Sequence, residues 1–223
     1  VTVYGTLKEA GQGWSKDHQI DAHIHISALP RFYRKTEAEF TRVAYIKPEQ
    51  KRVDYWRTWL STLPKPWIGV SWQGGIQNTQ KHLRTLKLEQ LAPVLELPGS
   101  FIDLSYKDNS REVEAWNARG GSQIIRPKLD KDNYDDTLAL IAALDEVVTV
   151  TTAVVHACGA MGRTCRVLVP EVPMWRYAYR CDEGMIWYPR GSIEMHRQTP
   201  GEDWCMTIKR LAKDMKPRIL LAA

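Results

Sequence analysis

The chain has 223 residues and a formal net charge of +5, with 43% hydrophobic and 26% charged residues. This is ordinary globular composition, enough for a sizeable core in one large α/β domain or in one domain plus an appendage. The mild basicity, with a pI near 9.0, comes without a dense Lys/Arg block, so nucleic acid is not the expected partner; phosphate-bearing ligands fit the balance, and so does a solvated basic surface. No apolar run approaches the ~20 residues a membrane span requires. The four cysteines, Cys158, Cys165, Cys181 and Cys205, form no CxxC pair, which argues against a zinc site and leaves reduced cytosolic thiols as the expectation. No signal peptide is visible, so a cytoplasmic location is expected. The chain begins at Val1 without a methionine, which suggests a fragment or a processed product.

In chain order, a short strand is expected around Val1 to Tyr4, followed by a loop. Gln19 to Ser27 (QIDAHIHIS) alternates with period two and predicts a strand. His23 and His25 would share one face there, but with no third ligand nearby a polar strand face is favoured over a metal site. Leu29-Pro30 breaks that strand, and Arg31 to Thr41 reads as a short helix or turn. Ala44 to Ile46 reads as extended. Pro48 then opens a helix with Val53, Trp56 and Leu60 on one stripe. Leu63-Pro64-Lys65-Pro66 ends it and marks a domain boundary, with 1–65 as a leading segment and 66–223 as the main domain.

From Trp67 onward strand and helix alternate, the pattern of a parallel sheet. Expected strands are Trp67 to Trp72, Phe101 to Ser105, Ser122 to Ile125, Val147 to Val150, Cys165 to Val169 and Ser192 to His196. Expected helices run from Leu86 to Leu97, around Ser110 to Ala118, from Tyr134 to Leu144, from Ala153 to Met161 and from Trp204 to Met215. Pro173 to Arg190 is aromatic and loop-like. The predicted fold class is α/β, a Rossmann-like parallel sheet with helices on both faces.

Ligands of open parallel sheets bind in the loops beyond the carboxyl ends of the strands. Informative residues occupy those loops here. Ser71, Gln73 and Gly74 lie in a glycine-containing loop that permits close backbone approach, or is simply a flexible turn. Arg84 could clamp a phosphate or be a solvated surface arginine. Ser105 and Tyr106 could face a base or a ribose. At Thr151-Thr152-Ala153 a strand runs into a helix whose N-terminus could hold an anion, with His156 one turn in; the plainer reading is that a threonine caps the helix.

The ordered segments WIGVSWQGG, HLRTLKLEQLAPVLELPG, FIDLSYK and YDDTLALIAALDEVVTVTTAVVHACGAMG, with VPMWRYAYR, WYPR and GEDW after them, carry a family resemblance. They resemble the carboxyl half of bacterial glycosyltransferases often fused to TPR repeats. These look like relatives of the ADP-heptose heptosyltransferases and, more distantly, of the O-GlcNAc transferases. The resemblance implies a GT-B architecture whose second Rossmann-like domain binds a nucleotide-sugar, UDP-, ADP- or GDP-linked. It implies that Thr152 and His156 serve the pyrophosphate, that Arg84 faces the diphosphate, and that Gly74 belongs to the loop after the first strand. Thr151 stands where the family has an aspartate that holds sugar hydroxyls. Residues 1–65 would be the remnant of the first half, so the missing half or a second copy of the chain is an expected partner.

The expected function is metal-independent, inverting transfer from a nucleoside-diphosphate sugar, with no cofactor and no metal ligand set. The acceptor stays open, and so does the general base: Asp21, Glu37 and Glu39 are available without a supporting pattern. The alternatives are a nucleotide-binding module of the same fold without transfer, and a structural α/β domain using Trp175 and Trp187 as a protein interface.

Overall fold

The computed structural model describes residues 19–75, 81–129, 133–178 and 184–222; the strand expected at Val1 to Tyr4 lies outside them. The chain divides into two compact units, Val1–Phe40 and Thr41–Ala223. The proline pair at 64 and 66 falls inside the second unit.

In the first unit the strand expected over Gln19 to Ser27 does not form. The segment is irregular and ends in a 3-10 turn at Ile26–Ala28, which His25 caps by accepting the Ser27 N–H at 3.3 Å. Ile20, Ile24 and Ile26 are 49%, 48% and 77% exposed. Alternation specifies a strand only when a neighbouring strand accepts its backbone groups, and among the described residues none pairs with this one. Helix α1 (Pro30–Tyr33) and a 3-10 turn at Glu37–Glu39 follow.

The second unit opens with α2 (Gln50–Leu60), which buries Val53, Trp56 and Leu60 as its spacing requires. Six parallel strands then form one sheet: β1 (Trp67–Ser71), β2 (Ser100–Asp103), β3 (Ile124–Ile125), β4 (Glu146–Val150), β5 (Cys165–Val169) and β6 (Ile193–Arg197). Their order is β3-β2-β1-β4-β5-β6. β1 and β5 are buried along their whole length, as strands covered on both faces must be. The connecting helices are α3 (Ala92–Leu95), α4 (Ser110–Asn117), α5 (Tyr134–Ala143), α6 (Ala153–Met161), α7 (Trp175–Ala178) and α8 (Trp204–Ala222). The helix expected from Leu86 to Leu97 is instead a 3-10 turn, Leu88–Leu91, running into the single turn of α3. Pro93 sits at the start of that turn, where its missing N–H does no harm, but it could not have continued a longer helix.

Successive strand residues alternate between two cores. On one face Ile102, Leu104, Val147, Val167 and Val169 pack with α2, α5 and α6. On the other, Ile68, Val70, Phe101, Val148 and Leu168 pack with α3, α4 and α8. Trp56 ties α2 to α5 by donating its indole N–H to Asp136 at 2.9 Å. Among the described residues no helix is long and apolar enough to cross a membrane. Cys158, Cys165 and Cys205 are free thiols, and Cys181 lies outside the described residues.

Arg166, only 1% exposed, lies near the amino edge of this sheet. Its guanidinium reaches Glu146 on β4 and Glu194 on β6, each at 2.8 Å. Removing one member of a buried ion group leaves uncompensated charge and typically costs about 3–5 kcal/mol. Arg166→Leu is therefore expected to lower the unfolding free energy by about that amount, read from urea denaturation. An unchanged midpoint would show that the two carboxylates reach solvent on their own.

Candidate functional site

Strand order reverses between β1 and β4, and the loops leaving those two strands meet there. Leu86 donates its N–H to the Trp72 carbonyl at 2.8 Å. The Thr85 hydroxyl bridges the Gly74 N–H and C=O at 3.3 and 3.1 Å. A Cβ at Gly74 would stand 3.0 Å from the Thr152 methyl and 3.4 Å from the carbonyls of Arg84 and Thr151. The absence of a side chain at Gly74 lets three backbone segments converge closely here. The sequence left this loop as a close approach to a ligand or a flexible turn; Gly74 itself packs against protein, and the next residue, Gly75, lines the cavity described below.

Thr152 is the N-cap of α6, with extended backbone angles, and its hydroxyl accepts the Val154 N–H at 3.2 Å. The same oxygen lies 3.2 Å from the Thr149 hydroxyl, so the plainer, capping reading describes that side chain. The helix still opens its positive N-terminal end toward the cavity beside it.

Arg84 is the larger surprise, because it is 9% exposed where a surface arginine was one of the two expectations. Its Nη1 donates to the Thr151 carbonyl at 3.3 Å and lies 3.2 Å from the Met174 sulfur. Its Nε is buried and has no partner among the described residues. The Arg176 Nε, on α7, is in the same condition, with that guanidinium 5.4 Å from the Trp175 ring centroid. Both arginines line a cavity of about 410 Å³ together with Thr151, Thr152, Ala153 and His156, and among the described residues that line it none is acidic. Buried guanidinium groups without a carboxylate are costly unless an anion completes them.

His156 stands between two phenols. Its Nδ1 is 2.8 Å from the Tyr188 hydroxyl, and its Nε2 is 3.5 Å from that of Tyr177. Burial, and after it the Arg176 charge, hold the imidazole below its ordinary pKa, so it is neutral. Burial likewise pushes both phenols well above their ordinary values. A neutral imidazole in this sandwich can present one N–H donor without adding charge.

A second cavity, of about 520 Å³, adjoins the first and shares Tyr106 and Ala153 with it. Leu104, Leu129 and Val154 give it apolar walls, and the half-open rings of Tyr106 and Tyr134 flank it at 64% and 53% exposure. At its margin Asp103 accepts the Ser105 N–H at 2.8 Å and Arg126 Nε at 3.2 Å. Burial nevertheless raises the Asp103 pKa, because desolvation outweighs those partners.

Of the residues singled out in the sequence, Arg84, Tyr106, Thr151, Thr152, Ala153 and His156 line the first cavity, and Ser105 lines the second. Gly74 lies at the junction of the loops. Ser71 is buried at the end of β1, and Gln73 turns its amide to Glu112 at 3.1 Å; neither lines either of these two cavities. Arg176, Tyr177, Tyr188, Arg126 and Tyr134 were missed. The first three lie in the aromatic stretch read as loop-like, within the VPMWRYAYR and WYPR segments that carry the family resemblance, and an arginine set among aromatics was the available signal. Among the described residues no group of three or more His, Cys, Asp or Glu is arranged to hold a metal ion.

Gly159 lies one turn beyond His156 on α6, and any Cβ there would run into the Tyr188 ring. Alanine gains up to about 1 kcal/mol in helix propensity, whereas overpacking against a rigid ring costs about 1–3 kcal/mol. Gly159→Ala should therefore be net destabilising in chemical denaturation and should shift the His156 imidazole resonances in NMR spectra. A stabilised protein with unmoved resonances would remove Tyr188 from its role as the support of His156.

No protein-family model matches the chain. It is 30% identical over 165 residues to Protein FlbA of Caulobacter vibrioides, an alignment covering 72% of this chain and 27% of FlbA. Among solved structures it is similar to the E. coli ADP-heptose LPS heptosyltransferase II, with a TM-score of 0.54 and 14% identity. That match covers 79% of this chain and 54% of the heptosyltransferase chain. The chain thus spans about a quarter of FlbA and about half of the heptosyltransferase. At such low identity the second likeness is one of fold: this chain has the Rossmann-like α/β fold found in a GT-B glycosyltransferase.

Proposed function

We propose that this chain binds the diphosphate of a nucleotide-sugar in the Arg84–Arg176 cavity and serves as the donor-binding part of an inverting glycosyltransferase. Residues 66–223 carry that site. The observation behind the reading is the buried Arg84 guanidinium and the half-buried Arg176 one, each with a buried, unpartnered Nε, beside the N-terminus of α6 in a cavity whose described lining includes no carboxylate. The adjoining cavity suits the nucleoside: apolar walls, two flanking tyrosine rings, and a connection past Tyr106. The fold shared with a heptosyltransferase supports the same assignment.

In direct displacement the acceptor oxygen attacks the anomeric carbon as the bond to the diphosphate breaks. Negative charge grows on the leaving phosphate oxygens. Arg84, Arg176 and the α6 N-terminus are placed to stabilise that charge, so the transfer needs no metal for this purpose. Neutral His156, its ring held by the two tyrosines, lines the same cavity without adding charge. These residues provide leaving-group stabilisation. The base that takes the acceptor proton is a separate requirement.

Saturation at 100 times the dissociation constant stabilises a fold by about 2.7 kcal/mol. ADP, UDP, GDP and CDP at millimolar concentration should therefore raise the melting temperature unequally, and the largest shift identifies the base. No shift with any of the four would sink the proposal.

Charge-assisted bonds to phosphate contribute about 1.5–3 kcal/mol, so Arg84→Ala and Arg176→Ala should each weaken the preferred nucleotide by about ten- to hundredfold. The two differ in stability. Arg84→Ala also abandons the Thr151 carbonyl and should cost about 1–3 kcal/mol of folding, while the half-buried Arg176 should cost less. Calorimetric titration beside denaturation separates the effects. Unchanged affinity in both variants would return the arginines to a packing role.

A further inference from the structure

Glu112 lines neither cavity, yet its carboxylate holds together the loops that form the first one. Its Oε2 accepts the Trp72 indole N–H at 2.8 Å and the Gln73 amide at 3.1 Å, both in the loop that follows β1. Its Oε1 accepts the Leu88 backbone N–H at 2.7 Å, four residues beyond Arg84. One carboxylate thus bridges the segment that carries Gly74 and the segment that carries Arg84. Leu86 is bonded to the Trp72 carbonyl between those anchor points. Glu112 also lies in the first turn of α4. Charge-assisted bonds of this length are among the stronger ones available to a protein.

We infer that Glu112 is a positioning residue for the diphosphate site: by bracing the β1 loop against the 84–88 segment it sets where the Arg84 guanidinium points. The inference rests on the nucleotide reading above. Glu112 acts through Arg84 and need not touch the nucleotide. A buried arginine on an irregular segment has many rotamers, and an uncorrected displacement of about 1 Å is enough to lose a bidentate contact. The carboxylate removes that freedom by fixing the backbone on the far side of the arginine. A neutral amide cannot do the same. In Glu112→Gln one side-chain oxygen becomes an N–H₂ group, which in either amide orientation faces a donor, the Leu88 N–H or the Trp72 and Gln73 groups.

The test is a double-mutant cycle on the full chain. It uses whichever of ADP, UDP, GDP and CDP gives the largest melting shift with the unmodified protein, followed by calorimetric titration. Glu112→Gln should weaken that nucleotide by about five- to tenfold, and by less than about twofold once Arg84 is alanine, because coupled residues are non-additive. Melting temperatures of all four proteins accompany the titrations. If Glu112→Gln does not fold, Glu112→Asp, which keeps the charge but shortens its reach, carries the same cycle. Equal losses in both backgrounds, or no loss in the unmodified background, would overturn the role of Glu112 while leaving the nucleotide site intact. Failure of the unmodified chain to bind any of the four overturns the site and Glu112 with it.

Discussion

Between β1 and β4 the sheet reverses the direction in which strands are added, and the candidate site depends on that reversal. Connections leaving the two strands go to opposite faces, so a crevice opens beyond their carboxyl ends that no helix fills. The crevice is narrow here because Gly74, Arg84 and Thr151–Thr152 come within van der Waals reach of one another. A side chain at 74 would press on the Thr152 methyl and on the Arg84 and Thr151 carbonyls, the segments joined by the bond that steadies Arg84. The steric demand at one glycine and the aim of one arginine are therefore the same constraint seen from two sides.

Two buried arginines show how surroundings decide the role of a residue. Arg166 is the more buried, but it lies between Glu146 and Glu194 at the amino edge of the sheet, and its charge is balanced within the fold. Arg84 is almost as buried and has a carbonyl and a thioether for company. The first arrangement leaves the Arg166 Nη2 without a hydrogen bond, but two carboxylates balance its charge without a ligand. The second leaves desolvated positive charge beside a helix N-terminus, next to a second incompletely partnered guanidinium. A folded chain can sustain that imbalance because the sheet and both cores over-determine the loops, as is common at binding sites.

The alternation of strands and helices from Trp67 onward was legible because each strand is covered on both faces. Such strands are largely apolar, as WIGVS and CRVLV are apart from Ser71 and the ion-paired Arg166. The Thr152–His156 junction was legible for a similar reason, since a buried strand entering a helix made of small residues has little choice of geometry. Local pattern failed where the outcome depended on distant partners. QIDAHIHIS alternates well, yet without a neighbouring strand its backbone stays irregular. Gln73 sits among the expected binding residues in sequence, but Glu112, on the helix after β2, turns its amide away.

The sequence by itself determined the parallel α/β class, the position of most strands and the α6 junction, because apolar runs, helical spacing and capping residues act over one or two turns of chain. Tertiary structure alone decided that Arg84 is buried, that Arg176 joins it from a segment some 90 residues away, and that Tyr177 and Tyr188 enclose His156. It also decided that the Gly74 loop approaches protein backbone. These are matters of which loops share one sheet edge. Strand order fixes that, and strand order follows from long-range packing of both faces at once, which local periodicity does not encode.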